Sequence, residues 1–289
     1  MIKTIRDAYN TNFSEDKYNV FLKDIDSSFN NKVKFKIAET PVFLPKALKE
    51  KLIEACNDIM QVINKPNFKQ LTDGAFFDAN TIVPNEDEHS KFIQLDFGIC
   101  KEEDGNLTPK LIELQGFPSL YYFQELLGRK YREHFGNVIP NGFSQHLNGM
   151  TSNDYLAALQ QEIVGGTNPK NVILLEIEPE QQATAIDFYA TAAKLGIKVL
   201  CITDLKKRGK TLFYLDENQN EVNVLKIYNR IIFDELHQRT DLKTEFSFQD
   251  EVDVEWIGHP NWFYRISKYT MPLLKGDYVP KSYYLDKLE

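Results

Sequence analysis

Residues 171–202, NVILLEIEPEQQATAIDFYATAAKLGIKVLCI, decide the fold. Asn171–Ile177 is a short continuous apolar run and reads as a strand buried on both faces. Ala183, Ile186, Ala190 and Ala193 follow at helical spacing, predicting a helix opened by Pro179 and closed by Gly196. Ile197–Ile202 is a second buried strand. Strand, helix and strand in this order form a βαβ unit, so a parallel sheet with a right-handed crossover is expected. The turn after the first strand, Glu176-Ile177-Glu178-Pro179-Glu180, has three acids and no glycine. It is therefore neither a dinucleotide fingerprint nor a P-loop. Its acids either complement the helix dipole or hold an amine ligand, and both readings stand at this level.

Upstream, residues 94–120 hold two alternating runs around Asp104-Gly105, which predicts a β-hairpin with a two-residue loop. Ile93, Leu95 and Phe97 share one face with Ile112 and Leu114; Gln94, Asp96, Leu111, Glu113 and Gln115 take the other. With that loop, paired positions sum to 209, so Asp96 faces Glu113 and Gln94 faces Gln115. Directly opposed carboxylates repel, and they call for a cation: an arginine, a metal or a ligand amine. Gly116–Ser119 then turns the chain. Ser119 is the expected cap of a helix with the stripe Leu120, Phe123, Leu127 and Tyr131. Free N–H groups at that helix start beside the carboxylates would suit a molecule carrying both charges.

Composition bounds the function. The 289 residues are 42% hydrophobic, with 20 Phe and 14 Tyr, ample for a core. Net charge is −8, and Lys206-Lys207-Arg208 is the main basic cluster, which argues against nucleic acid as a partner. Three cysteines, Cys56, Cys100 and Cys201, lie in or beside apolar runs and read as reduced residues of a cytoplasmic protein. There is no CxxC or HExxH spacing, so no metal site is expected. With no apolar leader at the N-terminus and no apolar run of about 18 residues, no membrane association is expected. A nucleophile elbow is likewise lacking, which disfavours a hydrolase.

Elsewhere, residues 1–32 suggest short helices docking on the body, and Lys34–Ala38 a short strand. Leu48, Leu52, Ile53, Cys56, Ile59, Met60 and Ile63 form an amphipathic helical stripe behind Pro45. Residues 65–90 read as loop, with His89 a solvated histidine in an acidic segment. Residues 136–150 are the best linker candidate. Thr151–Asp154 starts another helix. Thr211–Leu215 and Glu221–Leu225 form a second hairpin after a basic turn, Leu205–Gly209. Lys226–Phe233 and Val252–Trp256 are strands, and Phe263–Leu274 a helix. Arg230, in an apolar strand, needs a carboxylate partner if buried: a ligand's, Asp96 or Glu113, or a structural ion pair.

Five stretches carry a resemblance: IAETPVFLPKAL (37–48), QLDFGICKEEDGNLTPKLIELQGFPSLY (94–121), VILLEIEPEQQATAIDFYATAAKLGIKVLCITDL (172–205), KIYNRIIFDEL (226–236) and GHPNWFYRISKY (258–269). Together they resemble the N-terminal half of uncharacterised bacterial ATP-grasp proteins. Patterns such as LIELQ and IYNRI are similar, more distantly, to circularly permuted and glutathionylspermidine-synthase-like ATP-grasp ligases.

The resemblance implies a fold class of α/β: a Rossmann-like pre-ATP-grasp domain with a mixed sheet, parallel βαβ plus antiparallel hairpins, and a helical N-terminal segment. It divides the chain into 1–150 (helical segment with substrate-lining hairpin), 151–262 (Rossmann-like region) and 263–289 (helix and linker toward an ATP-grasp domain). It implies a carboxylate–amine ligase working through an acyl phosphate, incomplete without that C-terminal domain. The alternative is a stand-alone small-molecule binding or regulatory module. Glu113, Gln115, Ser119, Asn229 and Arg230 match positions that line the substrate side in the ligases, and Asp234 and Lys268 lie near matching stretches. With Asp96 they form the candidate substrate-binding set for a carboxylate or amine. Mg-ATP is expected for the full-length protein and no cofactor for this chain alone. The sequence shows no Gly-rich loop or acidic metal set beyond the aromatic loop.

Overall fold

Two helices open the chain, α1 (Lys3–Asn12) and α2 (Glu15–Ser27), in a computed structural model that describes residues 1–29 and 33–288. Ser14 caps α2 by accepting from the Lys17 N–H. Tyr9, Phe21 and Ile25 are fully buried, which docks the pair onto the body. Helix α3 (Lys46–Ile63) follows Pro45 and buries Leu48, Ala55, Ile59 and Ile63. The expected strand at Lys34–Ala38 does not form. A short helix, α4 (Phe68–Thr72), stands within the expected loop, because Phe68 is drawn onto Trp262 at 6.4 Å between ring centres.

The hairpin consists of β1 (Gln94–Lys101) and β2 (Leu107–Gln115). Its base keeps the expected register, Gln94 opposite Gln115 and Asp96 opposite Glu113. Beyond Asp96 the register shifts by one, and Phe97 faces Leu111. Ile112 is the extra residue of a β-bulge and is exposed, while Leu111 and Leu114 both turn into the core. This corrects the expected faces of Leu111 and Ile112. The turn is also longer than expected: Glu102 N–H donates to Asn106 O and Gly105 N–H to Glu102 O, leaving a three-residue loop with Gly105 at φ 85°. The longer loop and the bulge together account for the change in register.

Next come α5 (Tyr121–Phe135) and α6 (Ser152–Ile163), the latter opened by a Thr151/Asp154 capping box. Residues 136–150 fold back on α5, with Ile139 buried. Then follow β3 (Val172–Glu176), α7 (Ala185–Leu195) and β4 (Lys198–Cys201). Helix α7 starts six residues after Pro179 rather than at it. Gln181 N–H donates to Glu178 O in a turn, and the Gln182 side chain bonds Ile177 O at 2.9 Å, which holds the segment out of helix. Strands β5 (Lys206–Arg208), β6 (Thr211–Leu215) and β7 (Glu221–Val224) make an antiparallel sheet; the expected basic turn is its first strand. Strand β8 (Lys226–Asn229), helix α8 (Phe233–Gln238), strand β9 (Glu255–Ile257) and helix α9 (Asn261–Arg265) follow. In place of one helix over Phe263–Leu274, α9 gives way to a 3-10 turn over Lys268–Leu273, which contains Pro272.

The main sheet has the order β4-β3-β8-β9, all parallel. Val172 and Leu174 of β3 pack with Phe188 and Leu195 of α7, while Ile173 and Leu175 join Leu212, Val224 and Phe248 on the other face. Burial on both faces explains the unbroken apolar run. Each such side chain contributes about 1.5–3 kcal/mol, and Leu174→Ala would cost about 2–5 kcal/mol. From β3 the chain passes to β4 on one side and later to β8 on the other. The β3/β8 boundary is therefore the topological switch point, where open α/β sheets bind ligands at the strands' carboxyl ends.

Candidate functional site

Arg230 directly follows β8, and its N–H continues the ladder to Leu175 O at 3.0 Å. Its side chain is 3% exposed, and Nη1 lies 2.6 Å from Asp187 Oδ2 in the first turn of α7. The other oxygen, Asp187 Oδ1, accepts the Phe123 N–H at 2.9 Å, in the first turn of α5. One buried carboxylate thus neutralises a cation and satisfies a helix-end donor. The guanidinium also lies against the Phe188 ring at 4.8 Å and the Phe117 ring at 5.8 Å. Of the expected possibilities, the structural ion pair holds: Arg230 meets Asp187, not Asp96 or Glu113. Asn229 is fully buried, and its Oδ1 accepts the Ile231 N–H. Asn229 Nδ2 and Arg230 Nε have no hydrogen-bond partner among the described residues.

Glu176 ends β3 across the switch point and is buried. Its Oε1 accepts the Ile177 N–H at 2.8 Å. Burial pushes its carboxyl up to about 8, against the opposing pull of that hydrogen bond and of Arg230. The other two acids of this turn are engaged nearby. Glu178 is held in bidentate fashion by Arg239 at 2.9 and 3.1 Å, and Glu180 accepts from Tyr189 Oη at 2.8 Å.

The hairpin base forms the second part. Glu113 Oε1 accepts from Gln115 Nε2 at 2.7 Å, and Oε2 lies 3.2 Å from Lys268 Nζ. The Gln115 amide and the Lys268 ammonium hold the Glu113 carboxyl below its ordinary value. The cation that the opposed carboxylates require is therefore Lys268. Asp96, opposite Glu113, has no ion-pair partner among the described residues. Gly116 turns the chain so closely that a Cβ there would lie 2.5 Å from Trp262 O, and its N–H donates to Ile266 O at 2.8 Å. Phe117 links the two parts, packing on Arg230 and on Phe263, whose ring centre is 5.9 Å away.

Ser119 is half-buried beside this turn but caps nothing. Helix α5 is instead entered through Leu120 at φ 56°, and Asp187 supplies the acceptor. Asp234 is exposed in the first turn of α8, and its charge acts on Tyr264. Burial pushes the Tyr264 hydroxyl up to about 12, and its Oη has no partner among the described residues. His89 is exposed and 3.7 Å from Glu88, as a solvated loop histidine would be.

Asp187, Phe117 and Tyr264 were not among the expected site residues. Asp187 had a readable signal: a lone acid between Ile186 and Phe188 on an apolar helix, the mirror image of Arg230 in an apolar strand.

This arrangement has a structural relative. The chain is similar to a glutathione synthetase-like effector from Globodera pallida, solved in the apo form, with TM-score 0.54 and 15% identity over 91% of this chain and 67% of that one. At that identity the likeness concerns the fold alone, a mixed α/β architecture. No protein-family model and no curated protein matches the sequence. No described helix is long and apolar enough to cross a membrane.

Proposed function

We propose that these residues form the substrate side of an ATP-grasp carboxylate–amine ligase. The observation that carries the reading is the convergence of Gln115, Phe117, Arg230 and Lys268 around one turn at the carboxyl rim of the sheet, in a fold similar to that of the glutathione synthetase-like effector. In this reading Lys268 and the Gln115 amide receive a substrate carboxylate. Asp96 and Glu113 receive an amine, and Phe117 packs on the ligand's body. Arg230, fixed by Asp187, positions Phe117.

This reading places Mg-ATP outside this chain. The β3 turn has no glycine-rich phosphate loop, and no group of three or more His, Cys, Asp or Glu among the described residues is placed to hold a metal ion. We therefore assign the nucleotide to an ATP-grasp domain outside these 289 residues. A stand-alone small-molecule binding module, using the same rim residues without a nucleotide, is the second reading.

The test is ATP turnover by the full-length protein, read as phosphate release over panels of amino acids and short peptides. Release that requires both a carboxylate and an amine, and that falls at least tenfold in kcat/KM with Lys268→Ala, supports the ligase. Saturable ligand binding without turnover supports the binding module.

A further inference from the structure

A second polar centre lies away from the switch point, on α5. Glu125 is 2% exposed and carries two donors on one oxygen: Gln145 Nε2 at 2.5 Å and His146 Nε2 at 2.9 Å, both to Oε2. The other oxygen, Oε1, is buried and has no hydrogen-bond partner among the described residues. A buried carboxylate oxygen without a donor is costly. The two arginines of α5 are otherwise engaged: Arg129 pairs with Glu133 at 2.9 Å, and Arg132 donates to Phe143 O.

Glu125 lies on the wall of a cleft of about 440 Å³ shared with Val42, Leu127, Gly128, Tyr131 and Tyr155. That is the size of a small-molecule site, with mainly apolar walls and a few convergent polar groups. Its polar corner is built rather than incidental. The Tyr155 ring packs on His146 at 4.8 Å, and the Tyr155 hydroxyl donates to Tyr121 O at 2.9 Å. A Cβ on Gly128 would come within 2.7 Å of the Gln145 side chain, so glycine leaves the space in which Gln145 reaches Glu125.

We infer that this cleft is a separate site for a protonated primary amine on an apolar or aromatic body. The ammonium donates to Glu125 Oε1, and the body lies over Val42, Leu127 and Tyr131. Only a donor completes Oε1, and a positive charge suits a carboxylate whose present partners are an amide and an imidazole. The inference does not rest on the ligase reading and would survive its failure.

The probe is 2-phenylethylamine, with 3-phenylpropanoate as the control of similar body and opposite charge. Binding is read from the His146 imidazole resonances, assigned with His146→Gln. A saturable shift with the amine, at least tenfold weaker with the carboxylate, is expected. Glu125→Gln should weaken amine binding at least tenfold. Val42→Arg, at a largely exposed position, should block the cleft while leaving the melting temperature unchanged. Equal affinity for amine and carboxylate, no saturable His146 shift, or amine binding that survives Val42→Arg would overturn the inference. Should Glu125→Gln fail to fold, the carboxylate control and Val42→Arg still decide it.

Discussion

Arg230 and Asp187 form a buried ion pair at 2.6 Å that joins the end of β8 to the starts of α7 and α5. Removing one member of such a pair leaves an uncompensated buried charge, at a cost of about 3–5 kcal/mol. Arg230→Met should therefore lose about that much in urea unfolding. The double variant Asp187→Asn/Arg230→Met should recover a large part, because the charge is gone while the Asn side-chain oxygen can still accept from Phe123. A double variant no more stable than Arg230→Met would show that the pair is not the source of the loss.

Glu176 predicts a pH dependence of stability. Its carboxyl is raised from 4.5 to about 8 on folding, so between those values the native state holds a proton that the unfolded state has released. Stability attributable to this group is full below about 4.5, falls as pH rises through the window, and levels off above about 8. The slope is on the order of 1 kcal/mol per pH unit at most. Glu176→Gln should flatten that fall and be the more stable protein at pH 8. Identical pH profiles for the two proteins would contradict it.

Lys268 should matter to ligand binding and hardly to stability. Its side chain is 79% exposed, so Lys268→Ala should change unfolding free energy by less than about 1 kcal/mol. Glu113→Gln should have a similarly small effect, since Glu113 is not the partner of Arg230. A large loss of stability in either variant would reassign the Glu113–Lys268 contact to the folding of the hairpin.

Much of the architecture was legible because it is local. The apolar run ending at Leu175 reads as a strand covered on both faces, and the alternation around Asp96 and Glu113 places those acids opposite each other at the hairpin base. The bulge was not legible. Leu111 and Ile112 are both apolar, and either satisfies the pattern until Tyr278 O claims the Leu111 N–H at 2.8 Å. The site's partners were hidden for a different reason. Asp187 and Arg230 are 43 residues apart, and Glu113 and Lys268 are further apart still, so each sequence position announces the need for a counter-charge without naming it. The Ser119 cap failed likewise: Asp187, from another helix, supplies the acceptor in α5's first turn.

The most direct test of the substrate-side assignment is calorimetric titration of Mg-ATP into residues 1–289. The account predicts no saturable heat up to millimolar nucleotide, because it assigns the nucleotide to a domain outside these residues. Saturable binding with a micromolar Kd would contradict it, placing the nucleotide site within this chain.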